Sequence, residues 1–185
     1  MESSMARERK IVFFCSASRD IDEKFNQAAR EAARAACSLG YTIVSGGTVK
    51  GTMGCLADEV VRCGGSHVGI IPRFMGGVVY PDLTQTIWTS SMAERKELMR
   101  EGTCAAVALP GGIGTLDELI ETLTLAKLDL YGGKIFALNL DGFYEPLKAL
   151  LDHYVSTGML DLRTRNMISF PETVHELEEA LKVLE

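Results

Sequence analysis

The sequence predicts an α/β protein with a doubly wound, mostly parallel, Rossmann-like sheet in a single domain. Three observations predict it. Short apolar runs alternate with longer segments of helical character along the whole chain. The apolar runs are continuous rather than alternating, as strands are when both faces of a sheet are covered. Two of them end in glycine-rich loops that lead straight into helices. A chain of 185 residues that is 46% hydrophobic is large enough for one substantial core. No linker, internal repeat or polar low-complexity tract divides it, so residues 1–185 read as one unit.

The elements follow in order. Lys10–Cys15 (KIVFFC) is a buried strand, broken by Ser16–Asp20. Asp22–Leu39 is alanine-rich and long enough for about five helical turns, and Gly40 is a natural stop. Tyr41–Ser45 is the second strand. It runs into Gly46–Gly54 (GGTVKGTMG), a glycine loop leading into a helix to about Cys63, which Gly64 and Gly65 end. His67–Ile71 is the third strand, stopped by Pro72, and residues 73–83 are loop-like. Thr84–Trp88 is a short strand, Ser91–Glu101 a helix, Cys104–Leu109 a strand and Thr115–Leu128 a helix with apolar residues at 116, 119, 120 and 123. Lys134–Leu140 is a strand and Phe143–Thr157 a helix stopped by Gly158. Met167–Phe170 is a last short strand and Glu172–Leu184 a final helix. In open parallel sheets ligands sit beyond the carboxyl ends of the strands, and both glycine loops fall on that edge.

Composition narrows the function. A formal charge of −6 argues against a general nucleic-acid binder, though not against a small anionic ligand held by local donors. No apolar run reaches membrane-spanning length, and Met1–Lys10 is too polar for a signal peptide. The five cysteines form no C-x-x-C, which suits free thiols in a reducing cytoplasm better than a disulfide framework or metal site. His67, His153 and His175 are isolated, with no triad or metal-ligand spacing.

The chemistry concentrates in Val107–Glu121. An apolar run ends at Pro110, and Gly111, Gly112, Gly114 and Thr115 bring the chain to a helix start. Unpaired N–H groups and a partial positive charge make such a place fit for phosphate. The same glycines also serve a plain strand-to-helix turn. There is no Walker lysine and no G-x-G-x-x-G, so a dinucleotide is not favoured. Thr115 and Glu118 have the S/T-x-x-E spacing of a capping box, which places Glu118 in the first turn as a cap, a ligand-facing carboxylate or both. Upstream, Ser91 and Glu94 form a second possible capping box before Arg95 and Lys96. Arg95 reads equally well as a solvated surface charge and as a cleft residue that binds phosphate or orients a purine. Gly46, Gly47, Gly51 and Thr52 offer a second set of groups on the same edge.

Pro110–Glu118 matches P-G-G-x-G-T-x-x-E, and Met92–Lys96 matches M-x-x-R-K upstream. Together they resemble the LOG family, cytokinin riboside 5′-monophosphate phosphoribohydrolases long mislabelled as lysine decarboxylases. The likeness spans roughly residues 10–170. Departures are Cys15–Ser18 (CSAS) for the usual C-G-S-S, Ser45 and Thr52 within the second glycine loop, and Leu125 where an aromatic residue is common.

The resemblance implies hydrolysis of the N-glycosidic bond of a nucleoside 5′-monophosphate such as AMP, without metal or cofactor, in a homodimer. It implies that Glu118 stabilises an oxocarbenium-like state and positions or deprotonates water, with Arg95 orienting the nucleotide. Gly111, Gly112, Gly114, Thr115 and Lys96 would serve the 5′-phosphate. Gly46, Gly47, Gly51 and Thr52 would line the ribose, and Met92 would pack near the base. Two other classes stand beside this one. One is a non-catalytic nucleotide sensor or carrier. The other is a pyridoxal-phosphate decarboxylase, for which Lys96 or Lys127 would have to form a Schiff base.

Overall fold

A computed structural model describes residues 9–184. The reading of the first residues as too polar for a signal peptide therefore falls mostly outside the described part. The chain runs β1 (Lys10–Phe14), α1 (Glu23–Ser38), β2 (Thr42–Ser45), α2 (Gly51–Arg62), β3 (His67–Pro72), β4 (Gln85–Thr89), α3 (Met92–Arg100) and β5 (Thr103–Ala108). It continues through α4 (Ile113–Lys127), β6 (Lys134–Ala137), α5 (Glu145–Ser156), α6 (Leu162–Arg165), β7 (Ile168–Ser169) and α7 (Val174–Lys182).

The seven strands form one sheet in the order β4-β3-β2-β1-β5-β6-β7, with every neighbouring pair parallel. The chain winds outward from β1 through β2 and β3 to β4, then returns to lay β5 on the other side of β1. The order therefore reverses between β1 and β5. A crevice for a ligand belongs beyond the carboxyl ends of these two strands.

Side chains alternate across each strand and meet apolar layers on both sides. Ile11, Phe13 and Cys15 pack with Ile43, Val107 and the small face of α1 formed by Ala28, Ala29, Ala32, Ala33 and Ala36, together with α2 and α7. Val12 and Phe14 point the other way, onto Met99 of α3, Leu119 and Leu123 of α4, and Leu151 of α5. The continuous apolar runs are thus two interleaved buried sets. Alanine on α1 lets that helix lie close to the sheet. Asp22 caps it by accepting a bond from the Lys24 N–H at 3.0 Å.

Several boundaries differ from the sequence expectation. The second glycine loop is shorter than expected, because α2 starts at Gly51 and residues 51–54 form its first turn. The loop-like stretch after β3 holds a 3-10 helix at Arg73–Val78. The sixth strand stops at Ala137, and a 3-10 turn at Leu140–Gly142 delays α5 to Glu145. The four-residue α6, capped by Asp161 accepting from the Thr164 N–H at 2.7 Å, was not anticipated.

Candidate active site

The loop after β5 makes the site's floor. α4 begins at Ile113 with Gly112 as its cap residue, and the Leu116 N–H already donates to the Gly112 carbonyl at 3.0 Å. The capping-box reading is therefore incorrect. Thr115 is the third residue inside the helix and caps nothing, and Glu118 lies in the second turn, not the first. The Thr115 Oγ1 is buried without a hydrogen-bond partner. It lies under Gly111, where a Cβ would fall directly on it. No atom stands within 4 Å of a Cβ position on Gly112 or Gly114, so the loop's outer surface is open beside the unpaired N–H groups of the helix start.

Ser91 caps α3, accepting from the Glu94 N–H at 3.1 Å, and the Glu94 carboxylate accepts from the Ser90 N–H at 2.6 Å. This start fixes the rotation of α3 and sends Arg95 inward. Arg95 is only 5% exposed, so the surface-charge alternative falls. Its Nε donates to the Ile70 carbonyl of β3 at 2.9 Å, and one terminal nitrogen donates to Glu118 Oε1 at 3.3 Å. The other terminal nitrogen lies where a Cβ of residue 46 would stand, so Gly46 is glycine to admit the guanidinium.

Glu118 is 8% exposed. Burial pushes its carboxyl up to about 7 against the pull of Arg95, and the charge of Asp117 adds to the rise. Burial likewise holds Arg95 below its ordinary value, with Glu118 opposing. Burial outweighs attraction on both sides of this pair. Cys15, at the end of β1, has its thiol raised by burial and then by the Glu118 charge, so it is not a thiolate nucleophile at neutral pH.

The remaining candidates divide. Lys96 does not face the glycine loop freely: its Nζ pairs with Asp117 at 2.9 Å and Glu121 at 3.2 Å, and Arg100 joins Glu121 at 2.7 Å. Met92, at the start of α3, is 42% exposed. Thr52 is fully buried and ties α2 to β1, its Oγ1 accepting from the Ser16 N–H at 2.9 Å. Gly51, at φ +54°, lets the Ser16–Ser18 backbone pass over it. The Gly47 N–H is already donated to Ser45 Oγ at 3.1 Å, so it is not a free donor. Sequence reasoning missed that Ser45 Oγ also bonds His67 Nε2 at 2.7 Å. The two residues sit on neighbouring strands, and nothing in their spacing signals it. Of the lysines considered for a Schiff base, Lys96 is held between carboxylates and Lys127 stands half-exposed near Asp161.

A buried carboxyl raised to about 7, a cation in contact with it and an open helix start thus meet at this edge of the sheet. The family model described as "Possible lysine decarboxylase" matches residues 53–181. The chain is 33% identical to cytokinin riboside 5′-monophosphate phosphoribohydrolase LOG2 of Arabidopsis thaliana, covering 97% of this chain and 87% of that protein. It is 35% identical to cytokinin riboside 5′-monophosphate phosphoribohydrolase LOG of Oryza sativa subsp. japonica, covering 93% and 72%.

The chain belongs to the LOG family.

Solved structures extend the likeness in fold alone. The molybdenum cofactor carrier protein of Chlamydomonas reinhardtii superposes with a TM-score of 0.74 at 18% identity, covering 96% of this chain and 98% of that one. At the carboxyl edge of the sheet the Arg95–Glu118 pair lies against Gly46 beyond β2, with Cys15 at the end of β1 beside it. Among the described residues no helix is long and apolar enough to cross a membrane.

Proposed function

We propose that this chain hydrolyses the N-glycosidic bond of a nucleoside 5′-monophosphate, AMP or an N6-substituted cytokinin-type relative, releasing the free base and ribose 5-phosphate. The observation that carries the proposal is the buried Arg95–Glu118 contact beside the open start of α4. The names of the LOG-family relatives support the reaction class.

The 5′-phosphate binds over Gly111, Gly112 and Gly114, where the first N–H groups of α4 point outward and the helix dipole favours an anion. The orphaned Thr115 hydroxyl gains a partner there. Anchoring the phosphate sets C1′ beside Glu118. As the bond from C1′ to the base nitrogen breaks, its electron pair leaves with the base and the ribose acquires oxocarbenium character. The Glu118 carboxylate stabilises that charge and takes a proton from the water whose oxygen bonds to C1′. The departing base nitrogen takes one proton from solvent, and Glu118 releases the one it took from the attacking water, which restores the carboxylate. A carboxyl at about 7 suits this work, because it is half-ionised at neutral pH and remains a useful base. Arg95 keeps its proton throughout and acts by charge and orientation. Gly46 and Gly47 line the ribose side, with Met92 toward the base.

The protein is a homodimer or larger and works in the cytoplasm. Ile113 (83% exposed) and Leu116 (37% exposed) give α4 an apolar outer row that a second copy would cover. The five free cysteines suit a reducing compartment.

The test is chromatography of products from AMP and adenosine under matched conditions. AMP yields base and ribose 5-phosphate in equal amounts, and adenosine reacts at least about a hundredfold more slowly, as loss of a remote binding group predicts. Equal rates would remove the phosphate site. Binding of AMP without any turnover would favour the sensor or carrier function instead.

A further inference from the structure

The buried hydroxyl–imidazole pair Ser45–His67 lies outside the contacts described above for Glu118, yet it touches the turn that faces Arg95. Ser45 ends β2 and is fully buried; His67 begins β3 and is 1% exposed. Ser45 Oγ receives the Gly47 N–H at 3.1 Å, which closes the turn across Gly46, and bonds His67 Nε2 at 2.7 Å. Gly47 takes φ +65° in this turn. Its carbonyl accepts from the Tyr80 N–H at 2.9 Å, so the turn is held from both sides. Gly46, between them, lies against the terminal nitrogen of Arg95 that does not bond Glu118. The Nε of Arg95 is fixed independently on Ile70, two residues beyond Val68 on the same strand that His67 begins. The guanidinium is thus held on one edge by β3 and faced on the other by a turn that the Ser45 hydroxyl closes from its inner side and the Tyr80 N–H holds from the other.

His67 is suited to holding that hydroxyl. Burial lowers its pKa to about 4, so the ring is neutral at working pH and bonds Ser45 through Nε2 alone. Its Nδ1 is buried without a partner, so Ser45 is the side chain that fixes the ring.

We infer that Ser45, braced by His67, is a positioning residue that sets the Gly46–Gly47 turn and thereby the orientation of the Arg95 guanidinium toward Glu118 and the nucleotide. This rests on the proposed phosphoribohydrolase activity, but the placement of Arg95 can be read without it. Misplacing one catalytic group by about 1 Å costs on the order of a hundredfold in rate. A turn that relaxes by less should cost about tenfold.

The experiment compares Ser45→Ala, His67→Leu and His67→Gln, the last retaining an amide that can either donate to or accept from the Ser45 hydroxyl. Two readouts are taken: steady-state release of base from AMP, and the Arg95 Nε–H signal in proton–nitrogen NMR spectra, assigned by its loss in Arg95→Lys. Ser45→Ala and His67→Leu should lower kcat about tenfold with less than about a threefold change in KM. They should also shift the Arg95 signal and speed its exchange with solvent. His67→Gln should restore most of both. Variants that melt earlier but keep kcat and the Arg95 signal would overturn the inference and leave the pair as simple core. Should Ser45→Ala fail to fold, the difference between His67→Leu and His67→Gln decides in the same sense. An Arg95 signal that responds in a protein turning over no nucleotide would uphold the positioning and remove the proposed function.

Discussion

Glu118→Gln should make the protein more stable at pH 8 while disabling it. The wild-type carboxyl titrates at about 7 in the folded chain and near 4.5 when unfolded, because burial disfavours its ionised form more than Arg95 favours it. At pH 8 the folded protein must hold an ionised carboxylate in that setting, at a cost of about 3 kcal/mol taken at 1.36 kcal/mol per pK unit. Glutamine resembles the protonated acid in shape and can still accept from Arg95, so it avoids this cost. The folded state binds the Glu118 proton more tightly than the unfolded state does. Wild-type stability therefore rises as pH falls from about 7 toward 4.5, and the gap to the variant narrows. Unfolding in urea at pH 8 should show Gln ahead by about 3 kcal/mol, or roughly 6–12 °C in a melting scan of a chain this size. At pH 5 the gap should fall below about 1 kcal/mol. A variant less stable than wild type at pH 8, or a gap that widens on acidification, would mean that the ion pair with Arg95 outweighs burial and that Glu118 is held as a carboxylate.

Other outcomes follow from the same geometry. The free-enzyme profile of kcat/KM for AMP should fall about tenfold per pH unit below about 7 and level off above it, since the ionised form of Glu118 is the working one; a profile flat from pH 5 to 8 would exclude it as the base. Thr115→Val removes a buried hydroxyl that has no partner, so stability should hold or rise by about 1 kcal/mol while KM for AMP rises; an unchanged KM would leave that hydroxyl out of phosphate binding. Light scattering at assay concentration should give at least twice the 20.2 kDa chain mass, and a monomer mass would contradict the homodimer.

The sheet was legible because its chemistry is local. Strands buried on both faces, such as Lys10–Phe14 and Thr103–Ala108, carry apolar side chains at every position after the first, and α1, α2, α3 and α5 stop at glycines. The start of α4 was misread because the T-x-x-E spacing is the same whether threonine caps a helix or sits in its third position. The cap residue is in fact Gly112, which has no side chain to signal it. The burial of Arg95 could not be read, because the acceptor that makes it tolerable is the Ile70 carbonyl on a different element. Lys96 follows it in sequence, yet the helix turns it toward Asp117 and Glu121. The short α6 has too few residues for any periodicity, and the Ser45–His67 contact exists only because β2 and β3 pair in register.

The most direct test of the proposed chemistry is turnover and binding of AMP by Glu118→Gln, measured on the same preparation by base release and calorimetry. Affinity should stay within about threefold of wild type, because the phosphate is held by the loop and helix start, while base release should fall at least about a hundredfold, the scale of one positioned acid–base group. Wild-type turnover by this variant would contradict a catalytic Glu118 and move the search for the carboxylate to Asp117, Glu121 or Asp141.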